Sequence, residues 1–431
     1  MRLNIYLVLI IFCVLILGSC EPPLDGPNPE DVYVKYYGQG TNEAHGLVLT
    51  DGGDVIILAT NTISNTNSDI YLIKTGIDGN EIQSVTLDIS NESLDVPTKI
   101  KAIGNDEYLV TGYIDADPVV GVWFKINSSL EIISTDSTGA SGYNFIEGVY
   151  LTDIIKSTET DDAERFVVLG HTTQSIQNDP IDDPGNFQIF LSKVDDNDST
   201  YWTKPHGKAG DDEATALYEK DNGSLMIIGT TQSASGNYTG KNVSIIETTS
   251  RGTSDQNSRI SGIPGSVAAA DDIPYGVIKT PSGFSVVGST RTASGQASFY
   301  MGLNHDGDTI AGRTHLLLPD NGLASQAFSI VRTSTNEFIV VGSFPSFISG
   351  ANEGGNGTNK QEEMMVMKLS AFGEHREGYD QNFGSTSGND QAKAVISLPG
   401  GDVLVAATVD FGSGVKLVTL MRLNQNGELK D

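Results

Sequence analysis

Short apolar runs rich in β-branched residues, each closed by Gly, Asn, Asp or Ser, recur from Tyr33 to Asp431, and helical periodicity is nearly absent. The runs are themselves repeated. TDGGDVIILAT from Thr50, KDNGSLMIIGTT from Lys220, TPSGFSVVGST from Thr280 and LPGGDVLVAAT from Leu398 are the clearest copies, each followed after a variable loop by a second apolar run ending in a Gly turn. Written from the first copy, one unit has a strand from Ala44 to Thr50, a tight turn at Asp51-Gly52-Gly53 and a second strand from Val55 to Thr60. A polar loop leads to a third strand from Ile70 to Thr75, a hairpin turn at Asp78-Gly79-Asn80 and a fourth strand from Ile82 to Leu87. Gly and Asn suit these turns because they tolerate positive φ. Four antiparallel strands in roughly 50–60 residues is the size of one propeller blade.

Further pairs of runs begin at Tyr108 and Val122, Phe166 and Ile189, Met226 and Val243, Ser285 and Phe299, Phe338 and Met364, and Val403 and Val418. The repeat therefore predicts an all-β chain, a seven-bladed β-propeller of four-stranded antiparallel blades over residues 32–431. Because the last copy ends in a third strand and its turn at Asn426-Gly427-Glu428, a fourth strand is expected from elsewhere. DVYVKYYG at Asp31 is similar to the fourth-strand segments YWTKPHG at Tyr201 and GYDQNFG at Gly378. It is expected to complete the last blade, close the ring and cover an otherwise open sheet edge. Small residues, Gly46, Gly148, Ala216, Gly276, Ser329 and Ala394, are expected at one matching position of the innermost strands, where crowding near the axis excludes bulk. Lysines recur on third strands at Lys74, Lys125, Lys193 and Lys368, giving way to Glu247 and Gly302.

These segments carry a family resemblance. GGDVLVAAT with LMRLNQNGELKD resembles a delta-sixty-type propeller repeat, and YWTK with DNGSLMIIGTTQS resembles related repeats of bacterial secreted proteins. The resemblance spans nearly the whole chain after the leader, and its motifs are structural, naming no ligand.

The first residues bear on cellular address. Arg2, the apolar stretch from Leu3 to Leu17 and Leu17-Gly18-Ser19-Cys20 resemble a signal peptide with a bacterial lipobox. That resemblance implies cleavage after Ser19 (leader 1–19), acylation of Cys20 and attachment to a membrane through lipid. An apolar run of roughly 15 residues is short of the ~20 needed to span a bilayer. Residues 20–31, with EPPLDGPNPE, read as an extended Pro-rich acidic tether, and acids after the lipidated Cys are similar to the surface-export signals of Bacteroidota lipoproteins. An outer-membrane lipoprotein, periplasmic or surface-exposed with the surface favoured, is the expectation. With Cys13 in the leader and Cys20 acylated, no thiol is left for a disulfide, a metal site or a nucleophile. A net charge of −29 repels phosphate backbones and argues against nucleic acid as a partner.

Catalytic signatures are absent. The six histidines have no HExxH or HxxEH spacing, and neither a GxSxG elbow nor a phosphate loop is present. Glu43, Asp95, Glu213, Asp272 and Asp390 begin first strands, and five carboxylates facing one channel mouth could bind Ca²⁺, a cation that prefers oxygen ligands. Otherwise they cap turns, and no cofactor is required. The long loops carry Phe187, Tyr238, Phe344 and Phe347, which could stack on a ligand or pack beneath their own loops. The resulting expectation is a non-catalytic binding or scaffold module for a glycan, a peptide or an envelope protein. Two alternatives stand beside it: a polysaccharide-acting hydrolase or lyase with carboxylates at the channel mouth, and an accessory subunit of an outer-membrane complex.

Overall fold

A computed structural model describes residues 33–133, 142–158, 165–174, 186–195, 199–233, 239–253, 258–319, 324–346, 361–385 and 388–430. Among these residues the chain is all-β, with no helix and 28 strands from β1 (Val34–Tyr37) to β28 (Lys416–Leu423). The first unit is β2 (Thr41–Leu49), β3 (Val55–Ser64), β4 (Asn67–Thr75) and β5 (Glu81–Leu87), each antiparallel to the next. Strands β3 and β4 are longer than their apolar runs. Asn61, Thr62 and Ser64 pair with Asp69, Ser68 and Asn67, which turns most of the expected polar loop into ladder. Ladder bonds use backbone groups, so polar side chains at a solvated strand end do not interrupt them.

The same four-strand order recurs in five further units. They run from β6 (Leu94–Gly104) to β9 (Asn144–Glu147), from β10 (Tyr150–Lys156) to β13 (Thr200–His206), from β14 (Asp212–Glu219) to β17 (Arg259–Ser261), from β18 (Ile273–Thr280) to β21 (Thr309–Leu317), and from β22 (Gln326–Arg332) to β25 (Gln381–Phe383). The last group is β26 (Gln391–Ser397), β27 (Val403–Asp410) and β28, and β1 pairs antiparallel with β28, placing Val34 opposite Met421 and Tyr37 opposite Val418. The arrangement is that of a β-propeller. Apolar cores lie between neighbouring sheets: Val55, Ile57 and Ala59 of the first unit meet Leu404, Ala406 and Leu420 of the last. Trp123 packs on Phe166 across the next-but-one boundary, with ring centroids 5.0 Å apart.

The first strands of the units pack on one another. β2 touches β6, β6 touches β10, and the sequence continues through β14, β18, β22 and β26, which touches β2. Every one of them breaks register at the same place: between Ala44 and Gly46, Pro97 and Lys99, Leu151 and Asp153, Ala214 and Ala216, Pro274 and Gly276, Ala327 and Ser329, and Ala392 and Ala394. The skipped residues, His45, Thr98, Thr152, Thr215, Tyr275, Phe328 and Lys393, are β-bulges whose side chains are re-aimed out of the ladder.

Five of the six small residues expected on these strands follow the bulge directly, and they are small because the next first strand is in the way. A Cβ on Gly276 would lie 2.9 Å from the Ser329 Cα, and one on Gly46 would lie 2.9 Å from the Ile100 Cγ2. Gly148 does not belong to the set. It sits in the turn before β10 with φ at 75°, and Asp153 holds the post-bulge position. Asp153 is fully buried, which it tolerates because Lys101 pairs with it at 2.6 Å and the Leu217 N–H donates to it at 2.8 Å.

Three of the third-strand cations brace the hairpin between the first two strands of their unit. Lys74 meets Asp54 at 3.1 Å, Lys368 meets Glu337 at 3.0 Å and Arg422 meets Asp402 at 2.7 Å. In the fourth unit the polarity is reversed, with Glu247 held by Lys220 at 2.6 Å.

Crowding between first strands makes a testable difference between two glycines. Gly276→Val meets backbone that cannot yield and is expected to cost about 1–3 kcal/mol in urea unfolding. Gly46→Ala meets only a rotatable Ile100 methyl and is expected to cost less. Equal midpoints for the two variants and the parent would contradict the packing described.

Candidate functional site

The bulges sort the acids at the starts of the first strands into two sets. Asp95, Asp272 and Asp390, with Asp212, stand three residues ahead of a bulge, whereas Glu43 and Glu213 stand two ahead, and strand alternation turns the two sets to opposite faces. Five carboxylates facing one opening is therefore not what the strands present.

The aspartates of the first set are buried and act as loop anchors. Asp95 accepts the Ile89 N–H at 2.7 Å, Asp212 the Lys208 N–H at 2.6 Å and Asp272 the Ile263 N–H at 2.8 Å together with the Thr290 hydroxyl. Asp390 accepts the Asp410 N–H at 2.7 Å and the Ser385 N–H. Burial pushes all four carboxyls up, Asp212 and Asp272 to about 6. Their backbone hydrogen bonds hold the chain where it enters each unit.

Glu43 and the bulged side chains make a different site. Lys416 of β28 reaches Glu43 at 2.5 Å. Burial alone would raise the Glu43 carboxyl, but the Lys416 hydrogen bond and charge, helped by His45 and Lys393, outweigh it and hold the group below the usual carboxylate range. His45 is fixed by Thr60, Nε2 to Oγ1 at 2.8 Å, and burial lowers its pKa to about 4, so its imidazole is neutral at pH 7. Lys393 lies with Nζ 4.0 Å from the centre of the Phe328 ring. Burial lowers its pKa, while Glu43 and Glu362 pull it back.

Glu362, at the start of β24 (Gln361–Leu369), accepts from the Gln391 amide at 2.5 Å. Two carboxylates from units distant in the chain thus act on one half-buried amine. Sequence reasoning missed His45, Glu362, Lys393 and Lys416. The signal within reach was the residue before each small one, His45 before Gly46 and Lys393 before Ala394, since a bulge there would expose it.

Around the same end of the first strands, Glu213 pairs with Lys241. Tyr150 stacks on His171 with centroids 5.4 Å apart, and Phe187 sets its edge to His171 at 5.0 Å. Phe187 is thus half-buried in an aromatic group, whereas Phe344 is in the core beside Leu317 and Met365 and presents nothing to a ligand. Tyr238 and Phe347 lie outside the described residues.

Two of the clefts among the described residues carry distinctive linings. One of about 530 Å³ is lined by Tyr36, Tyr37, Asn42, Asn61, Tyr71 and Glu81, and Asn42 is the chain neighbour of Glu43. The other, of about 590 Å³, is lined by Arg165, Lys193, Tyr201, Trp202, Lys204 and Arg251, a basic and aromatic wall on an acidic protein.

No family model and no curated protein matches the chain. Among solved structures it is similar to an α-L-arabinanase of Penicillium chrysogenum complexed with arabinobiose, at 12% identity and TM-score 0.42, over 92% of this chain and 100% of that one. It is similar to a GH93 α-L-arabinofuranosidase of Fusarium graminearum at 9% identity and TM-score 0.40, over 94% and 96%. A mutant sialidase of Trypanosoma rangeli aligns at 10% identity and TM-score 0.39, over 91% and 59%. These are glycan-acting enzymes. None of them bears out the expectation of a non-catalytic binding or scaffold module. At such scores none of their site residues carries over, so the chemistry of this site rests on its own side chains.

The half-buried imidazole gives a pH prediction. A folded pKa near 4 against ~6.5 unfolded means that the neutral His45 contributes stability present above 6.5 and lost as the pH falls towards 4. Ring-proton NMR is expected to find His45 neutral at pH 6, and His45→Gln is expected to flatten the decline of the urea midpoint between pH 7 and 5. Titration of His45 near 6.5 would contradict its burial.

Proposed function

We propose that this chain is a polysaccharide-acting hydrolase of the bacterial envelope, working at the mouth formed by Glu43, His45, Glu362, Lys393 and Lys416. The observation that carries this reading is that Glu43 and Glu362, from the first and sixth units, both bear on Lys393 beside a neutral His45. Glycosidic cleavage needs two carboxyl groups with different tasks. Glu43, held ionised by Lys416, is suited to base or nucleophile, and Glu362 is the second carboxyl of the pair. The neighbouring tyrosine cleft offers rings and amides of the kind that hold a sugar chain.

The scaffold in this proposal is a seven-bladed ring closed by the N-terminal strand. Supporting it are the β1–β28 pairing, the recurrent four-strand units and the contact of β26 with β2. Thr41 Oγ1 also donates to the Gly414 carbonyl at 2.6 Å, and the Lys416 N–H donates to the Gly40 carbonyl at 2.9 Å. A lipid on Cys20 would tether this ring to the outer membrane, with the tether leaving the mouth accessible to envelope or external glycan.

Release of reducing ends from a panel of neutral and acidic polysaccharides tests the activity. On the substrate found, Glu43→Gln and Glu362→Gln are each expected to lower kcat about 10²–10⁴-fold, the usual contribution of acid–base catalysis, with thermal midpoints unchanged. Full activity in both variants would rule out this pair. Cys20→Ser is expected to move the protein from the membrane to the soluble fraction.

A further inference from the structure

A second group of acids lies where the first unit meets the second. Strand β4 runs beside β6 there, with Ser68 bridged to Leu94. Asp69 comes from β4, Asp88 from the turn after β5 and Asp95 from β6, and each places one carboxylate oxygen so that the three lie within 4.8 Å of one another. Acids gathered on a surface would mean little, but two of these are not on the surface. Asp69 is 5% and Asp95 1% exposed, and the Oδ1 of each has no hydrogen-bond partner.

A buried carboxylate oxygen without a donor is costly, and two facing a third carboxylate are costlier still. The other acceptors around the group are already used by the fold. Asp95 Oδ2 takes the Ile89 N–H at 2.7 Å, and Asp88 Oδ1 takes the Asn91 N–H at 2.7 Å, which folds the 88–93 turn around the acids.

We propose that Asp69, Asp88 and Asp95 form a binding site for a divalent cation, Ca²⁺ by its preference for carboxylate oxygens, that clamps the first unit to the second. Three carboxylates from three segments leave room for the waters that complete a coordination shell of 6–8 oxygens. Asp95 belonged to the acids expected to share a ring at the mouth, but its partners here are Asp69 and Asp88. The cation has no part in the hydrolytic proposal, and the two stand or fall separately.

The test uses the EDTA-treated mature protein titrated with CaCl₂ by calorimetry, and with Tb³⁺ read by luminescence, for which Tyr143 lies within the field of Asp88 and Asp95. One saturable site of roughly 10⁻⁶–10⁻³ M is expected. Asp69→Asn and Asp88→Asn are expected to weaken it at least tenfold. Asp88 is exposed, so its substitution leaves the fold intact even if Asp69→Asn does not. Without Ca²⁺, Asp69→Asn is expected to melt at or above the parent temperature because a repulsion is removed; with Ca²⁺ only the parent gains. Binding to the parent no tighter than to Asp88→Asn, or no saturable site at all, would overturn the proposal.

Discussion

Direct packing of first strand on first strand is the constraint from which the rest of this molecule follows. Strands that approach this closely cannot carry ordinary side chains at the point of contact, and the chain meets the problem twice at one position. A small residue takes the contact, as at Gly46, Ala216 and Gly276, and a bulge just before it diverts the preceding side chain out of the ladder. Where the small residue is missing, Lys99 holds the position in the second unit and Asp153 in the third, where Asp153 pairs with Lys101. The bulge thus has a second effect. It puts His45, Lys393 and Phe328 where sheet alternation alone would not, and the candidate chemistry is built on those displaced side chains.

The remaining polar groups near the strand starts divide by a single residue of register. One step along the strand, Asp95, Asp212, Asp272 and Asp390 turn inward and brace the entering loops through backbone N–H groups. At the next step, Glu43 and Glu213 turn the other way and pair with Lys416 and Lys241. Low solvent access acts on both sets with opposite outcomes. It raises the carboxyls that lack a cation and is overcome at Glu43 by the Lys416 hydrogen bond. The neutral His45 and the depressed Lys393 come from the same loss of water.

Much of the fold was legible because the repeat states it many times over. Turn signals such as Asp51-Gly52-Gly53 and Asp78-Gly79-Asn80 located the hairpins, with Gly53 and Gly79 at φ of 88° and 74°, and the similarity of the Asp31 segment to fourth strands foretold the β1–β28 pairing. Strand ends were less legible, since Asn61 and Thr62 enter the ladder through backbone atoms that composition does not report. The site was least legible. Spacing shows that an acid starts five of the first strands but not which way it turns, and a bulge shifts that by one residue. Glu362 and Lys416 reach the mouth from other strands altogether, and no local pattern marks them. Phe344 looked like a loop aromatic and is core, because β23 (Phe338–Ser346) runs on past its apolar run.

The account turns on the first and last units meeting at the mouth, and Glu43 with Lys416 reports this most directly, since the two are 373 residues apart in sequence and 2.5 Å apart in space. Zero-length carbodiimide coupling of carboxylate to amine, followed by peptide mass spectrometry, measures that contact. The expected product joins the Glu43 and Lys416 peptides, alongside the within-unit links Glu213–Lys241 and Glu247–Lys220 as internal standards. Recovery of both standards without the Glu43–Lys416 link would contradict the meeting of the first and last units and the chemistry proposed there.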